Sequence, residues 1–422
     1  MTRKLFYEDS YMKSCRAAVL ECRQNKNRFE ILLDQTCFFP EGGGQPGDTG
    51  MLIPCAVSDC GAQDTSAPDA GDGSSSGAES EGRGSSSGAE SAGIAVFDTH
   101  EKDGLVFHYT EKPLPEGTEV TAVIDWERRF DLMQQHSGEH MLSGVIHRRW
   151  GYDNVGFHLG TDRVTIDLSG TLSFDQLLDA ENEVNRRIWE DEQVKIWFPS
   201  AEELPRIPYR SKKELDGDVR IVEFPGADIC ACCGTHVKHT GAIGLVKVIS
   251  YEKWRDGIRV ELLCGGRAVR YLGHILEQNR LVSQQLSAKP LETSGAVANI
   301  AAELNEKRQR IYALEEASFA AAAEKYAGAG NVLVFLNDLD PDGVRRACDA
   351  IQKTCGGLSA VFSGSDADGY RYALGLPGGD LRETTRSLNA ALNGRGGGKP
   401  FFTQGNVKAS KAQIGDFFRE ML

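Results

Sequence analysis

The sequence predicts an α+β protein in four parts: a small N-terminal β-barrel, an α+β domain, a helical linker and a small C-terminal α/β domain. Three observations carry this. Residues 1–125 read as short apolar or alternating runs broken by Gly and Pro turns, as strands do. Residues 126–150 and 173–192 carry helical patterns set among further strands. From about residue 327, strand and helix signals alternate, as in a small α/β layer. The boundaries that follow are 1–125, 126–265, 266–326 and 327–422, in keeping with a length of 422 residues.

Strands are expected at residues 17–22 and 28–34. Residues 37–50, CFFPEGGGQPGDTG, hold five glycines in fourteen residues, a density no regular element tolerates. This loop reads either as a tight hairpin or as the wall of a binding pocket. Residues 58–93 are low in complexity, with the octamer GSSSGAES at 73–80 and again at 84–91. Lacking apolar content, they cannot offset the entropy of ordering and are expected to be a disordered loop inserted between two strands. Strands resume at 94–97, 105–109 and 119–125, with a turn at 113–117.

Helix 126–150 offers Met133, Leu142, Val145 and Ile146 for packing. A strand at 164–168 precedes the amphipathic helix 173–192, for which Ser173 is the N-cap. Strands at 194–198 and 219–224 flank a polar, Pro-broken stretch, and strands 244–251 and 257–264 pair. Helices 268–288 and 296–326 suit a hairpin or stalk. Beyond them come strands 332–336, 358–363 and 370–376, helices 340–354, 381–393 and 409–422, and a second glycine-rich loop at 394–405.

Hydrophobic residues make up 40% of the chain, enough for real cores, and the net charge is −14. Such a balance predicts a soluble protein with no global attraction to nucleic acid or anionic membrane, so any RNA contact needs a local basic patch. No apolar run approaches the ~20 residues a membrane span requires. Residues 1–15 lack a signal-peptide core, so a cytoplasmic protein is expected. The eleven cysteines are odd in number and irregular outside 230–233, which favours free thiols plus a metal site over disulfides. Cys15, Cys22, Cys37, Cys348 and Cys355 read as small buried hydrophobes.

His136 and His140 are four apart on the helix, so their side chains share one face and could hold one metal ion. Cys232 and His236, also four apart, supply a second pair. Zinc takes thiolate and imidazole ligands, usually four in a tetrahedron, so the two pairs together predict one Zn2+ per chain. Cys230 and Cys233 are rival ligands, although Cys233 adjoins Cys232 and both binding one ion is awkward. His158 and His239 suit supporting or surface roles, and His147 packs or caps. Glu139, about 100° around the helix from His140, reads as a surface or supporting residue. Four protein ligands fit a structural zinc, whereas a catalytic zinc keeps a position for water.

At this point the residues resemble a known family. HSGEH at 136–140 and CCGTH at 232–236 resemble the editing domain of alanyl-tRNA synthetase. The run DWERRFDLMQQHSGEH at 125–140 resembles the free-standing AlaX-type alanyl-tRNA editing proteins. FFPEGGGQPGDTG resembles the glycine-rich motif of that family's β domain, and GRGGGKPFFTQG that of the DHH-associated domain. The likeness runs from about residue 30 to the end, broken by 58–93, and matches the long form. It implies a trans-acting hydrolase that deacylates tRNA(Ala) mischarged with serine or glycine, without an aminoacylation domain. The implied zinc ligands are His136, His140, Cys232 and His236. The chain departs in having Cys233 where a glycine is common, an extra Cys230, and the insertion.

An aminoacyl ester is already reactive and needs little machinery. Gly43, Gly44 and Gln45 are the catalytic candidates, because backbone N–H groups of this loop could hold a carbonyl or developing oxyanion. Thr36 is the candidate for the serine hydroxyl that alanine lacks. The expected partner is the acceptor end of tRNA(Ala), with no membrane partner, and the 268–326 helices offer a homodimer surface. Arg128, Arg129, Arg148 and Arg149 flank the metal helix. Arg206, Arg210, Lys212 and Lys213 precede the cysteine cluster, and Lys247, Lys253, Arg255, Arg259, Arg267 and Arg270 follow it. Most of these read as solvated, and Arg395 and Lys399 are the stronger candidates for RNA backbone. The competing readings are a non-catalytic tRNA-binding protein with a structural zinc, and a thiol-based redox or metal-storage protein.

Overall fold

Strand β1 (Arg3–Lys4) and helix α1 (Leu5–Glu8) lead into β2 (Ser14–Asn25), β3 (Arg28–Leu33), β4 (Gln35–Thr36), β5 (Gly50–Pro54), β6 (Ile94–Lys102), β7 (Leu105–Thr110) and β8 (Glu119–Ile124). Six of them close a barrel in the order β2-β3-β7-β6-β5-β8, while β1 pairs with β4. The barrel follows from period-two patterning: on β8, Val120, Ala122 and Ile124 turn inward and their neighbours outward. With Val19, Ile31, Leu33, Phe38, Leu52 and Val96 they form one core. The computed structural model describes residues 2–55, 93–211 and 219–421. Nearly all of the predicted insertion, 58–92, and Lys212 and Lys213 lie outside the described residues. The strands on either side of the insertion, β5 and β6, pair antiparallel in the barrel.

His108, on β7, is fully buried in the barrel. Its Nδ1 donates to the Ile31 carbonyl at 3.1 Å, and its Nε2 meets the Thr36 hydroxyl at 2.8 Å. Burial disfavours the imidazolium and pushes the pKa down to about 4. Because the folded value lies below the unfolded one, the stabilisation is complete above about pH 6.5 and is lost as pH falls toward 4, a swing of about 3 kcal/mol. Urea unfolding at pH 7 and pH 4.5 is expected to show it, and His108→Gln to flatten that part of the profile. An equally steep acid loss in the variant would assign it to other groups.

The chain continues through α2 (Trp126–Trp150), β9 (Asn154–Leu159), β10 (Val164–Leu168), α3 (Phe174–Trp189), β11 (Lys195–Trp197), β12 (Ile221–Phe224), β13 (Asp228–Ala231), β14 (Val246–Trp254) and β15 (Gly257–Cys264). These strands form two sheets, β14-β15-β10-β9 and β11-β12-β13. Asp125 caps α2 by accepting from the Arg128 N–H, and Gly151 ends it in the left-handed conformation. Ser173 and Gln176 form a capping box on α3, as the sequence suggested. Helix α2 is buried without a break from Gln135 to Ile146, polar residues included. Those polar groups must find partners inside the protein, and the site is built from them.

Helix α4 (Gly265–Leu286) crosses the division between two compact units, Met1–Gln278 and Asn279–Leu422. The second unit holds α5 (Thr293–Lys325), β16 (Gly330–Leu336), α6 (Pro341–Cys355), β17 (Gly356–Ser365), β18 (Gly369–Gly375), α7 (Arg382–Ala391), β19 (Arg395–Lys399), β20 (Phe402–Val407) and α8 (Lys411–Phe418). Its sheet runs β16-β17-β18-β20-β19, and of its pairs only β16–β17 is parallel. The second glycine-rich segment is therefore not an open loop. It folds as the hairpin β19–β20, with Arg395 opposite Asn406 and Lys399 opposite Phe402. Backbone pairing needs no side chains, so glycines at an edge strand still complete a ladder. Among the described residues no helix is long and apolar enough to cross a membrane.

Candidate metal centre

Helix α2 sets His136 and His140 one turn apart with ring centroids 5.1 Å from each other. Residues 232–236, after β13, bring Cys232 and His236 against that face. The His236 ring lies 4.5 Å from His136 and 4.9 Å from His140. Cys232 Sγ is 3.6 Å from His136 Nε2 and 3.4 Å from His236 Nε2. One donor atom from each of the four residues falls within 4.8 Å of the others. A tetrahedral ion at ordinary zinc–sulfur and zinc–nitrogen lengths holds such donors about 3.6 Å apart. Three imidazoles and one thiolate, so spaced, fit zinc.

Each ring is held through its other nitrogen, as metal-binding histidines usually are. His136 Nδ1 donates to Gln45 Oε1 at 3.1 Å, His140 Nδ1 to Asp228 at 3.0 Å, and His236 Nδ1 to Ser137 Oγ at 3.2 Å. The partners are anchored in turn. Gln45 donates to Thr235 Oγ1 at 2.7 Å and accepts from the Thr235 N–H at 3.1 Å. Arg210 grips both Asp228 oxygens at 2.8 and 2.9 Å. Phe157 stacks on His136, 5.3 Å between centroids at an interplanar angle of 19°.

Burial alone would raise the Cys232 thiol, but the three imidazoles draw it well below the usual thiol range. Burial, then the neighbouring His136, pushes His236 down to about 3. Burial would also lower His140, yet the Cys232 and Cys230 sulfurs and Asp228 carry it well above an ordinary histidine. The sulfur is thus ionised and His236 neutral, the states that ligate. The proton drawn to His140 marks the negative potential that a bound cation would satisfy.

His136, His140 and Cys232 line a cavity of about 680 Å³, together with Gly43, Gly44 and Phe157, while His236 lies fully buried behind them. Gly43 and Gly44 adopt φ of +63° and +84°, a region glycine enters without strain. A Cβ on Gly44 would run into the Phe157 ring. Gln45 is fully buried and does not line the cavity; it clamps His136 instead. Thr36 is not at the wall either, because its hydroxyl accepts from the Phe38 N–H at 3.0 Å and bonds His108. Cys233 lines the cavity but stands outside the donor group. Cys230 joins His140 and Asp228 in an overlapping group.

Glu139 is buried, not at the surface, and its carboxylate accepts from the Ser143 hydroxyl at 2.6 Å and from the Asn154 amide. His158 and His239 are exposed, and His147 sits 2.9 Å from Asp153. Much of the expected basic patch is committed inside the fold. Arg129 is fully buried against Asp48; Arg210 pairs with Asp228 and Arg267 with Asp131, both half-buried or more, and the more exposed Arg259, Lys247 and Arg148 pair with Asp167, Glu181 and Glu183. Arg395 and Lys399, in the second unit, are exposed and two pleats apart on β19, hence on one face. Sequence reasoning did not find Asp228, Ser137, Thr235 or Arg220. Their one signal is proximity in sequence to the ligands, since what they touch is set by the fold.

Residues 219–260 match the family model described as the second additional domain of threonyl and alanyl tRNA synthetases. The matched stretch carries Cys232 and His236, while His136 and His140 lie outside it. The chain is similar over its whole length to a long-form AlaX-type protein. The alanyl-tRNA editing protein AlaX-L of Pyrococcus horikoshii is 29% identical over 441 aligned residues, covering 100% of this chain and 98% of that protein. Alanine–tRNA ligases align as well. That of Pyrococcus abyssi is 29% identical over 98% of this chain, and that of Ignicoccus hospitalis 28% identical over 94%. The chain spans only 43% and 40% of the length of those two ligases.

Proposed function

We propose that this protein is a trans-acting zinc-dependent hydrolase that deacylates tRNA(Ala) mischarged with serine or glycine. The observation that carries the proposal is the four-donor cluster, three members of which line a cavity shared with a glycine loop. It gains weight from whole-chain similarity to a protein named for alanyl-tRNA editing. His136, His140, Cys232 and His236 hold one Zn2+, which when bound polarises a carbonyl or orients the terminal adenosine. The chain's own groups do the rest. Gln45, Asp228 and Ser137 fix the three rings. The backbone N–H groups of Gly43 and Gly44 take the carbonyl oxygen as charge develops on it. Water adds to the ester carbonyl carbon and the bond to the ribose oxygen breaks. The ribose hydroxyl regains its proton and the amino acid leaves as the free acid. Thr36 braces the strand entering the loop, its hydroxyl already engaged. In the second unit Arg395 and Lys399 take RNA backbone, and the four-part division at 125, 265 and 326 belongs to this proposal.

Zinc-loaded protein should deacylate Ser-tRNA(Ala) and Gly-tRNA(Ala), spare Ala-tRNA(Ala), and lose activity with a chelator. No turnover of either mischarged species would sink the proposal. Four protein ligands favour a second reading, a tRNA-binding protein with a structural zinc. It predicts tight binding without turnover.

The proposed partners are the tRNA acceptor end and a second copy of the chain. On α5, Val297, Ile300, Leu304, Ile311 and Leu314 recur at heptad spacing and are 48–62% exposed. The face α5 gives to α6, with Phe319 and Ala323 buried and Tyr312 under Arg346, is a different one. In a parallel pair Glu303 faces Arg308 of the second copy. Light scattering is expected to give a dimer mass, and Leu304→Glu a monomer. A wild-type monomer at tens of micromolar would remove this part.

A further inference from the structure

Arg220 immediately precedes β12 and is only 5% exposed, yet it forms part of the cavity wall. Its Nη1 donates to the Cys232 and Gly234 carbonyls, 2.8 Å to each, so one end of the guanidinium holds the loop that carries the Cys232 ligand. The other edge is not so used. Nε is buried and makes no hydrogen bond. Among the described residues no carboxylate pairs with Arg220; the charged or ionisable groups around it are Cys232, Tyr7 and Cys233. A buried guanidinium with an unsatisfied donor and no counter-ion is costly to maintain. Among the described residues Nη2 makes no hydrogen bond and, unlike Nε, is not closed off, so it is the donor left for a phosphate oxygen.

The neighbours suit a nucleotide. The Tyr7 ring lies 5.1 Å from the guanidinium carbon, and Tyr7 and Phe198 meet edge to face with centroids 6.1 Å apart. Both line the same cavity, and Phe198 is half exposed. Aromatic side chains so placed stack a splayed base. Lys4, on the same wall, is already paired with Glu101 at 2.7 Å, which leaves Arg220 as the better-placed cation.

We propose that Nη2 of Arg220 is an anion subsite for the last phosphodiester of a single-stranded nucleic-acid 3′ end whose terminal ribose lies at the metal cluster. The inference deepens the deacylase reading and rests on it for the identity of the chain end. It assigns Arg220 two jobs: Nη1 positions the metal loop, and Nη2 reads the phosphate.

The test is calorimetry on the full-length, zinc-loaded protein with cytidylyl-(3′→5′)-adenosine, adenosine and inorganic phosphate as separate probes. The dinucleotide is expected to bind at least about tenfold tighter than adenosine, the size of one charge-assisted contact. In Arg220→Lys and Arg220→Gln that preference should fall below about twofold in protein counted per bound zinc, since loss of the Nη1 bonds also loosens the Cys232 loop. Equal binding of the two probes to wild-type protein overturns the subsite, without need of a variant. A preference that survives in both variants overturns it too. Inorganic phosphate binding as tightly as the dinucleotide would leave an adventitious ion only. If the dinucleotide preference holds while Ser-tRNA(Ala) is not deacylated, the subsite stands and the deacylase reading falls.

Discussion

On the proposed deacylase reading, Cys232→Ala is expected to lose zinc and to lower deacylation of Ser-tRNA(Ala) by at least about a hundredfold, since losing even a residue that orients a ligand costs metal sites about 10–100-fold. The argument is geometric. Cys232 Sγ lies within 3.6 Å of two imidazole nitrogens. Removing it leaves three buried histidines, each anchored through Nδ1 but without the anionic ligand. His136→Ala should behave alike, because its ring is central to the cluster and stacks under Phe157. Cys233→Ser should keep its zinc, because that sulfur belongs to no donor group with the histidines. The checks are metal content by atomic absorption, the deacylation rate, and circular dichroism to show the fold is retained. A Cys232→Ala protein that holds one zinc and full activity would move the ligand role to another sulfur. Loss of activity with zinc retained would make Cys232 something other than a ligand.

The two ligand pairs were legible because helical spacing and a Cys-x-x-x-His spacing are local facts. His136 and His140 share a face of α2 whatever surrounds it. That His236 rather than Cys230 completes the set with Cys232 depends on how the chain turns after β13, which no local pattern encodes. The groups that hold the rings are distant: Gln45 reaches His136 across 91 residues, and Asp228 reaches His140 across 88. Gln45 was visible as a member of a glycine-rich loop, and that composition suggested a group touching substrate. The fold makes it a support for His136. Five of the six barrel strands could be read from apolar or alternating runs, whereas β5, which opens on Gly50 and ends on Pro54, β9, broken by Gly156, and the four-residue β13 could not. Charge was the least legible feature. A run such as Arg128-Arg129 reads as a solvated face, yet Arg128 donates to the Gly47 carbonyl and Arg129 is enclosed completely. The hairpin at 395–407 was hidden because glycine density signals a loop when ladder partners are unknown.

Asp48→Ala is expected to destabilise the first unit by about 3–5 kcal/mol, the usual cost of leaving one member of a buried ion pair unmatched. Both side chains are essentially inaccessible. Arg129 Nε lies 2.9 Å from each Asp48 oxygen, and the guanidinium also donates to the Ser10 and Cys37 carbonyls. Asp48 in turn accepts from the Phe39 N–H at 2.7 Å, and its own N–H donates to the Phe39 carbonyl at 2.8 Å. The pair therefore fastens α2 to both ends of the glycine loop. Because a typical domain is stable by only about 5–15 kcal/mol, such a loss should appear as a large fall in the urea midpoint. The double variant Asp48→Leu with Arg129→Met should recover much of it, because both charges go and the volume stays apolar. If the double variant is no more stable than Asp48→Ala, the pair matters through its hydrogen bonds rather than its charge. Deacylation separates the two roles further. Where the double variant refolds but Gly43 and Gly44 are no longer held, the rate falls with zinc still bound, because the loop has lost its fastening while the cluster has kept its own.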